Sequence, residues 1–131
     1  MARLRIKNNP ERLMFTLHRW TGIILLAYFT AHAITMGLLF AGNAAAARIA
    51  AEIIGNKIIL WIVAVTATFH GLNGIRLIIV EALGLGIGKP EIPKPPYIST
   101  SLRSSQRKLL YILFALFLIA SAAATYAIII M

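Results

Sequence analysis

The sequence predicts an all-α membrane protein with three transmembrane helices, and three observations lead to this fold class. Hydrophobic residues make up 60% of the chain and the mean hydropathy is +0.82, whereas a soluble domain has roughly 45–50% apolar residues. The apolar residues form three runs, each long enough to cross a hydrocarbon core of about 30 Å. Basic residues gather at alternate flanks of these runs, as the positive-inside rule predicts for an odd number of spans.

The first span is predicted at about residues 20–41. Trp20 lies at its inner edge, where aromatic side chains are enriched in membrane proteins. The pair Gly42-Asn43 ends the run. The next segment, residues 44–54, reads AAAARIAAEII, which favours a short helix because alanine has the highest helix propensity. We expect this helix to lie at the outer surface.

The second span is predicted at about residues 57–83 and the third at about residues 109–131. A loop rich in glycine and proline separates them. Ala120, Ser121 and Ala124 form a small-residue face that suits close helix packing in a membrane. The whole chain, residues 1–131, is therefore predicted to be a single membrane-anchor domain.

The distribution of charge predicts the orientation. Basic residues precede the first span and follow the second, whereas the loop between these spans carries only Arg48 and Lys57. We therefore expect a cytoplasmic N-terminus and an outside C-terminus, in a cytoplasmic membrane or one of the inner mitochondrial type. The 13 basic and 4 acidic residues do not indicate nucleic-acid binding, since no soluble domain remains to carry a basic face.

Three histidines lie in or beside the predicted spans. His18, Leu25 and His32 are spaced by seven, so they fall within about 40° of one another around the first helix. His32 lies in the outer half of the membrane, and His70 lies in the inner half because the second helix runs back inward. Ionisable side chains at such depth are costly and are candidates for functional sites.

His70 has two interpretations at this point. A neutral imidazole is a good iron ligand, and haem is an apolar cofactor that fits between membrane helices. Gly71 and Gly74 would let a porphyrin approach the backbone, and Arg76 could pair with haem propionates or a quinone carbonyl. Alternatively, His70 is a buried histidine that hydrogen-bonds to a neighbouring helix. The same two interpretations apply to His32.

The two depths differ by roughly 10 Å along the membrane normal. The axial ligands of one haem must lie on opposite faces of the same iron, so His32 and His70 do not sandwich one haem. Either each needs a histidine from another chain or only one of them ligates.

His18 and Arg19 lie at the inner interface. They could contact haem propionates or a quinone, with the hydroxyl of Thr16 nearby. Alternatively, they are anchors that reach the lipid phosphates. Glu81, close to the inner surface, is expected to be structural.

At this point two segments, LHRWTG (residues 17–22) and FHGLNGIR (residues 69–76), closed by Glu81, together resemble a known family. They are similar to the cytochrome b membrane anchor of succinate dehydrogenase, or complex II. The family pattern is His-Arg-x-[Ser/Thr]-Gly on helix one and His-x-x-x-Gly-x-Arg on helix two, with an acidic residue five positions later. With the spacing and the three-span layout, the resemblance covers nearly the whole chain.

The resemblance implies roles for individual residues. The family's haem ligand falls on His70, and its quinone- and propionate-contacting arginine falls on Arg19, with His18 adjacent. Members with two haems carry a second histidine in the outer half of helix one, which His32 matches.

The chain departs from the family pattern at two positions. A serine that often contacts quinone is replaced by Phe15, with Thr16 beside it, and the usual closing aspartate is Glu81.

The resemblance also implies the function and the partners. The chain would bind haem b, one or two, shared with a second membrane anchor. It would form part of a quinone site and pass electrons from an iron–sulfur subunit to quinone, while a flavoprotein subunit oxidises succinate. Two alternatives remain: a haem-free structural anchor of a quinol:fumarate reductase, and an unrelated diheme transmembrane cytochrome b.

Overall fold

The computed structural model describes residues 10–83 and 104–131, and these residues are helical apart from short connections. Helices α1 to α4 span Pro10–Phe40, Ala44–Ile54, Lys57–Leu77 and Ser104–Thr125. Helix α3 continues as a π-helical segment, Ile78–Leu83, and α4 continues as another, Tyr126–Ile130. The glycine- and proline-rich loop and the basic residues before Pro10 lie outside the described residues, as does the side chain of Glu81.

Three helices are long and apolar enough to cross a membrane, which confirms the predicted number of spans. They are Arg12–Phe40, Lys57–Val80 and Gln106–Ile130. Helix α1 continues through the basic segment ahead of the predicted residue 20. Thr16, His18 and Arg19 therefore lie on α1 itself.

Helix α1 ends at a glycine that reverses the chain. Gly42 has φ +80°, a conformation that glycine adopts without steric cost. The N–H of Asn43 donates to the carbonyl of Leu38, and that of Gly42 to the carbonyl of Leu39, both at 3.0 Å. This is the Schellman arrangement that satisfies the last carbonyls of a helix. The side chain of Asn43 then caps α2 by accepting from the N–H of Ala46 at 3.2 Å.

Helix α2 has the predicted bounds. It packs against α1 through Ala47, which is buried. The predicted pair of Arg48 and Glu52 forms an ion pair, with 3.1 Å between Nε and Oε1. Both side chains are exposed, so this pair contributes only about 0.3–0.5 kcal/mol to stability.

Helices α1 and α3 pack antiparallel in a register set by two contacts. Gly22 lies against the ring of His70, and four residues along each helix Gly74 lies against the ring of His18. At about 1.5 Å per residue, this register places Val80 level with Arg12.

Helices α3 and α4 are aligned by two contacts eight residues apart. The indole N–H of Trp61 donates to the Thr125 hydroxyl at 2.8 Å. The rings of Phe69 and Phe117 meet edge to face, with their centroids 5.7 Å apart. The two helices therefore also run antiparallel, and Gln106 of α4 lies at the level of Val80. The end of the bundle at which Arg12, Val80 and Gln106 lie level is called here the near end, and α2 lies at the far end.

Four threonine hydroxyls within the spans bond to their own helices. Each donates to the carbonyl four residues earlier, and the set is Thr35, Thr66, Thr68 and Thr125. A hydroxyl in a membrane without such a partner would cost several kcal/mol. Back-bonding lets these residues lie in the spans without water.

Candidate functional site

His18 and His70 form a stacked pair between α1 and α3. Their ring centroids are 4.0 Å apart and the ring planes differ by only 10°. Both side chains are half-buried. Sequence reasoning placed these histidines separately, His18 at the interface and His70 in the inner half. The antiparallel register brings them together.

Two glycines make room for the pair. A Cβ at Gly22 would lie 3.1 Å from Cε1 of His70, tighter than most real contacts, and a Cβ at Gly74 would lie 3.5 Å from Cε1 of His18. Each glycine thus receives the imidazole of the opposite helix. The expectation that Gly74 lets a porphyrin approach the backbone stays a prediction; the ring of His18 lies beside this glycine. A Cβ at Gly71 would meet nothing within 4 Å.

The hydrogen bonds at Nδ1 of His70 determine its tautomer. Nδ1 lies 3.1 Å from Oγ1 of Thr21 and 3.1 Å from the carbonyl oxygen of His18. The carbonyl can only accept. The Thr21 hydroxyl directs its own proton to the carbonyls of Leu17 and His18, so its oxygen accepts as well. Nδ1 therefore carries the proton in neutral His70, and the lone pair is on Nε2.

The stacked geometry excludes one arrangement of ligands. Axial ligands of one metal point their nitrogens at each other from opposite sides, whereas stacked imidazoles lie side by side. His18 and His70 therefore cannot be the two axial ligands of one iron. Nδ1 of His18 is buried and has no hydrogen-bond partner, and a buried polar atom of this kind normally has one.

His32 lies apart from the pair. It is ten positions beyond Gly22 on α1, or about 15 Å along the helix axis, which supports the prediction that His32 and His70 do not share one iron. The side of α1 that carries His18, Leu25 and His32 is only partly buried: Leu25 is buried but His32 is exposed. A repeat of seven drifts by about 20° per repeat around a straight helix, and near the far end Thr35 takes the buried position instead.

Beside the exposed His32 lies Tyr28. Their rings are nearly parallel, with centroids 6.4 Å apart.

Arg76 is the most deeply buried charged residue that the structure describes, at 1% exposure. Its Nε donates to Oδ1 of Asn73 at 3.0 Å. Both residues line a cavity of about 20 Å³ between α3, α4 and Met14 of α1, with otherwise apolar walls. Oδ1 of the Asn73 amide accepts this hydrogen bond. The amide nitrogen, Nδ2, is buried and has no hydrogen-bond partner among the described residues.

Arg19 and Thr16 lie on the exposed side of α1, away from the stacked pair. The Arg19 guanidinium lies over the ring of Phe15, 5.9 Å from its centroid. The Thr16 hydroxyl donates to the carbonyl of Arg12 at 2.9 Å. The described contacts do not bring either residue to His18 or His70.

Two residues of the site were not predicted from the sequence. Neither Thr21 nor Asn73 was given a role of its own. The signal for Thr21 is its distance of three residues from His18 on a helix, which places both on one face.

Comparison with known proteins identifies the family. A family model described as succinate dehydrogenase/fumarate reductase transmembrane subunit matches residues 2–124. No curated protein and no solved structure matches the chain. The match covers both histidine motifs and most of all three spans, and it agrees with the resemblance found in the sequence. The chain therefore belongs to the transmembrane subunits of succinate dehydrogenase/fumarate reductase, which anchor that complex in the membrane and assemble with its other subunits.

Proposed function

We propose that this subunit binds haem b through His70, lines part of a quinone site and passes electrons from the iron–sulfur subunit to quinone. The observation that carries the proposal is the hydrogen bonding at Nδ1 of His70. A metal-ligating histidine almost always donates its other N–H to a carbonyl, carboxylate or water, which orients the ring and raises its basicity. His70 has such a partner in the carbonyl of His18.

His70 would hold the haem iron through Nε2. Haem b supplies one-electron transfer when bound. The chain's own contribution is to fix the imidazole tautomer, to orient the ring against His18 and to exclude water with the apolar spans around it.

His18 and Arg76 are proposed to hold the haem propionates or a quinone carbonyl. Nδ1 of His18 is a buried atom without a partner beside the proposed ligand, and a carboxylate or carbonyl oxygen would accept a hydrogen bond from it. Arg76 is charged and lies in the same part of α3. Arginine pairs with carboxylates through two parallel hydrogen bonds.

Arg19 and Thr16 are proposed to contribute the quinone contacts. Both are exposed on the side of α1 that α3 does not cover. The Arg19 guanidinium lies over the ring of Phe15 in a cation–π contact. The quinone would then lie between this subunit and its partners.

We expect a further ligand for each haem to come from another chain. The side-by-side stacking of His18 on His70 and the distance of about 15 Å along α1 from Gly22 to His32 support this expectation. A second membrane anchor is the proposed source, alongside the iron–sulfur and flavoprotein subunits. His32, exposed beside Tyr28, would hold a second haem in the same way.

The replacement His70→Ala tests the ligand assignment. We expect the purified complex to lose the haem b signal in its reduced-minus-oxidised spectrum while its flavin content is unchanged. Added imidazole should restore part of the signal by entering the space that the side chain leaves. The matched control is Gly37→Ala, since a Cβ at Gly37 on α1 meets nothing within 4 Å. An unchanged haem-to-flavin ratio in His70→Ala would exclude His70 as a ligand.

A haem-free structural anchor is the second candidate function, and one observation favours it. Nδ1 of His70 has hydrogen-bond partners in Thr21 and the His18 carbonyl, and its ring stacks on His18. These contacts need no cofactor. Under this alternative the histidines only pack and hydrogen-bond. The wild-type complex would then contain flavin and no haem b, which the same spectrum detects.

A further inference from the structure

Helix α2 presents three different sides around its axis. Ala47, at 5% exposure, faces α1. Arg48 and Glu52 form the exposed ion pair on a second side. Ile49 and Ile53, at 63% and 60% exposure, form a third side, about 100° around the helix from the ion pair. An apolar side and a charged side next to each other are typical of helices that lie in a membrane interface.

The connections to α1 and α3 fix the position of α2 along the bundle. The register of α1 against α3 places Lys57, the first residue of α3, at the level of Thr35. Helix α1 continues to Phe40, about 7 Å farther. Helix α2 is about 16 Å long. Three residues separate it from the end of α1 and two residues separate it from the start of α3, so both of its ends lie near the far end of the bundle.

We propose that α2 lies in the lipid–water interface at the far end of the bundle. Ile49 and Ile53 insert among the lipid acyl chains, and the ion pair of Arg48 and Glu52 faces the headgroups and water. Phe40, at 85% exposure, extends the same apolar surface to the end of α1. The helix thereby holds the far ends of α1 and α3 at a fixed depth.

The size of the apolar side argues for lipid rather than protein as its partner. A stable protein interface buries roughly 800 Å² on each partner and involves about 20–30 residues a side. The two isoleucines and Phe40 supply only a small part of such an area. Helix α2 directly connects two candidate membrane spans, so both of its ends lie close to lipid.

Single cysteines can test the proposal in the assembled complex, reconstituted in phospholipid nanodiscs. The chain has no cysteine of its own, so any thiol adduct on this subunit reports the introduced position. The variants are Ile49→Cys and Ile53→Cys, with Arg48→Cys as the control that faces water. A water-soluble polyethylene glycol maleimide measures access from water. A thiol-linked benzophenone, activated by light, reports the neighbouring molecule.

We expect the maleimide to react about tenfold more slowly at positions 49 and 53 than at 48, because burial of an isoleucine-sized side chain in hydrocarbon is worth at least that factor. The benzophenone at 49 and 53 should form adducts with phospholipid. Equal maleimide rates at all three positions would overturn the proposal, since the isoleucines would then face water. Cross-linking to another polypeptide would overturn it in favour of a protein partner. Each position is read separately, so one variant that assembles suffices.

Discussion

Two oxygen atoms decide which nitrogen of His70 carries the proton. The carbonyl of His18 and the hydroxyl of Thr21 both lie at Nδ1, and both act as acceptors. Nε2 is left with its lone pair, as an iron ligand requires. Two residues of α1 therefore determine which nitrogen of a histidine on α3 is protonated.

The replacement Thr21→Val tests the hydrogen bond from His70 to Thr21, because valine keeps the shape of threonine and removes the acceptor oxygen. Loss of an outer-shell partner typically costs a metal ligand about 10–100-fold in affinity. We expect the lower end of this range, about tenfold weaker haem retention, because the carbonyl of His18 remains. The measurement is the haem-to-flavin ratio of the complex after exposure to a haem scavenger.

Thr21→Ser is the control and should retain haem as the wild type does, because serine keeps the hydroxyl. If serine and valine lose haem equally, packing of the methyl group and not the hydrogen bond is responsible.

At the element scale, α3 packs against α1 with one side and against α4 with another. One side meets α1 through His70 and Gly74. The other meets α4 through Trp61 and Phe69, and also carries Arg76. Glycine on the first side lets the helices approach closely, as small residues do in membranes. Aromatic rings and one hydrogen bond join α3 to α4.

The bond from Trp61 to Thr125 is predicted to contribute modestly to the α3–α4 contact. Hydrogen bonds between membrane helices average about 0.6 kcal/mol in double-mutant cycles, with a maximum of about 1.7 kcal/mol. The cycle here consists of Trp61→Phe, Thr125→Val and the double variant. The free energy of unfolding in mixed micelles should show a coupling within this range. Strictly additive effects of the two replacements would contradict a direct bond.

At the scale of the whole molecule, three spans place the two ends of the chain on opposite sides of the membrane. Arg12, Val80 and Gln106 lie level at the near end. The excess of basic residues in the sequence next to this end predicts that it faces the cytoplasm. The stacked histidines and Arg76 would then lie in the inner half, on the side from which an iron–sulfur subunit is proposed to deliver electrons.

Reporter fusions can test this orientation. An alkaline phosphatase, active only outside, and a fluorescent protein, active only in the cytoplasm, are fused in turn to each terminus. We expect phosphatase activity at the C-terminus and fluorescence at the N-terminus. The same pair of reporters at an engineered position between Gly42 and Asn43 should report the outside. Fluorescence from both termini would contradict three spans.

Hydropathy and helix periodicity were sufficient to predict the three spans, the short helix at residues 44–54 and its ion pair. These features depend on local composition, since a run of apolar residues must be a helix wherever lipid surrounds it. Helix α1 extends beyond the predicted first span on its N-terminal side, because basic residues can stay helical while their charged groups reach the interface.

The contacts across the helices could not be predicted in the same way. The pairing of His18 with His70, the bond from Thr21 and the occupation of the space at Gly74 all depend on how α1 and α3 are rotated and aligned. Fifty-two residues separate the two histidines, and sequence periodicity describes only one helix at a time. The sequence alone identified His70 as the main candidate residue of the site. The tautomer of that histidine depends on how the helices pack, because its hydrogen-bond acceptors belong to another helix.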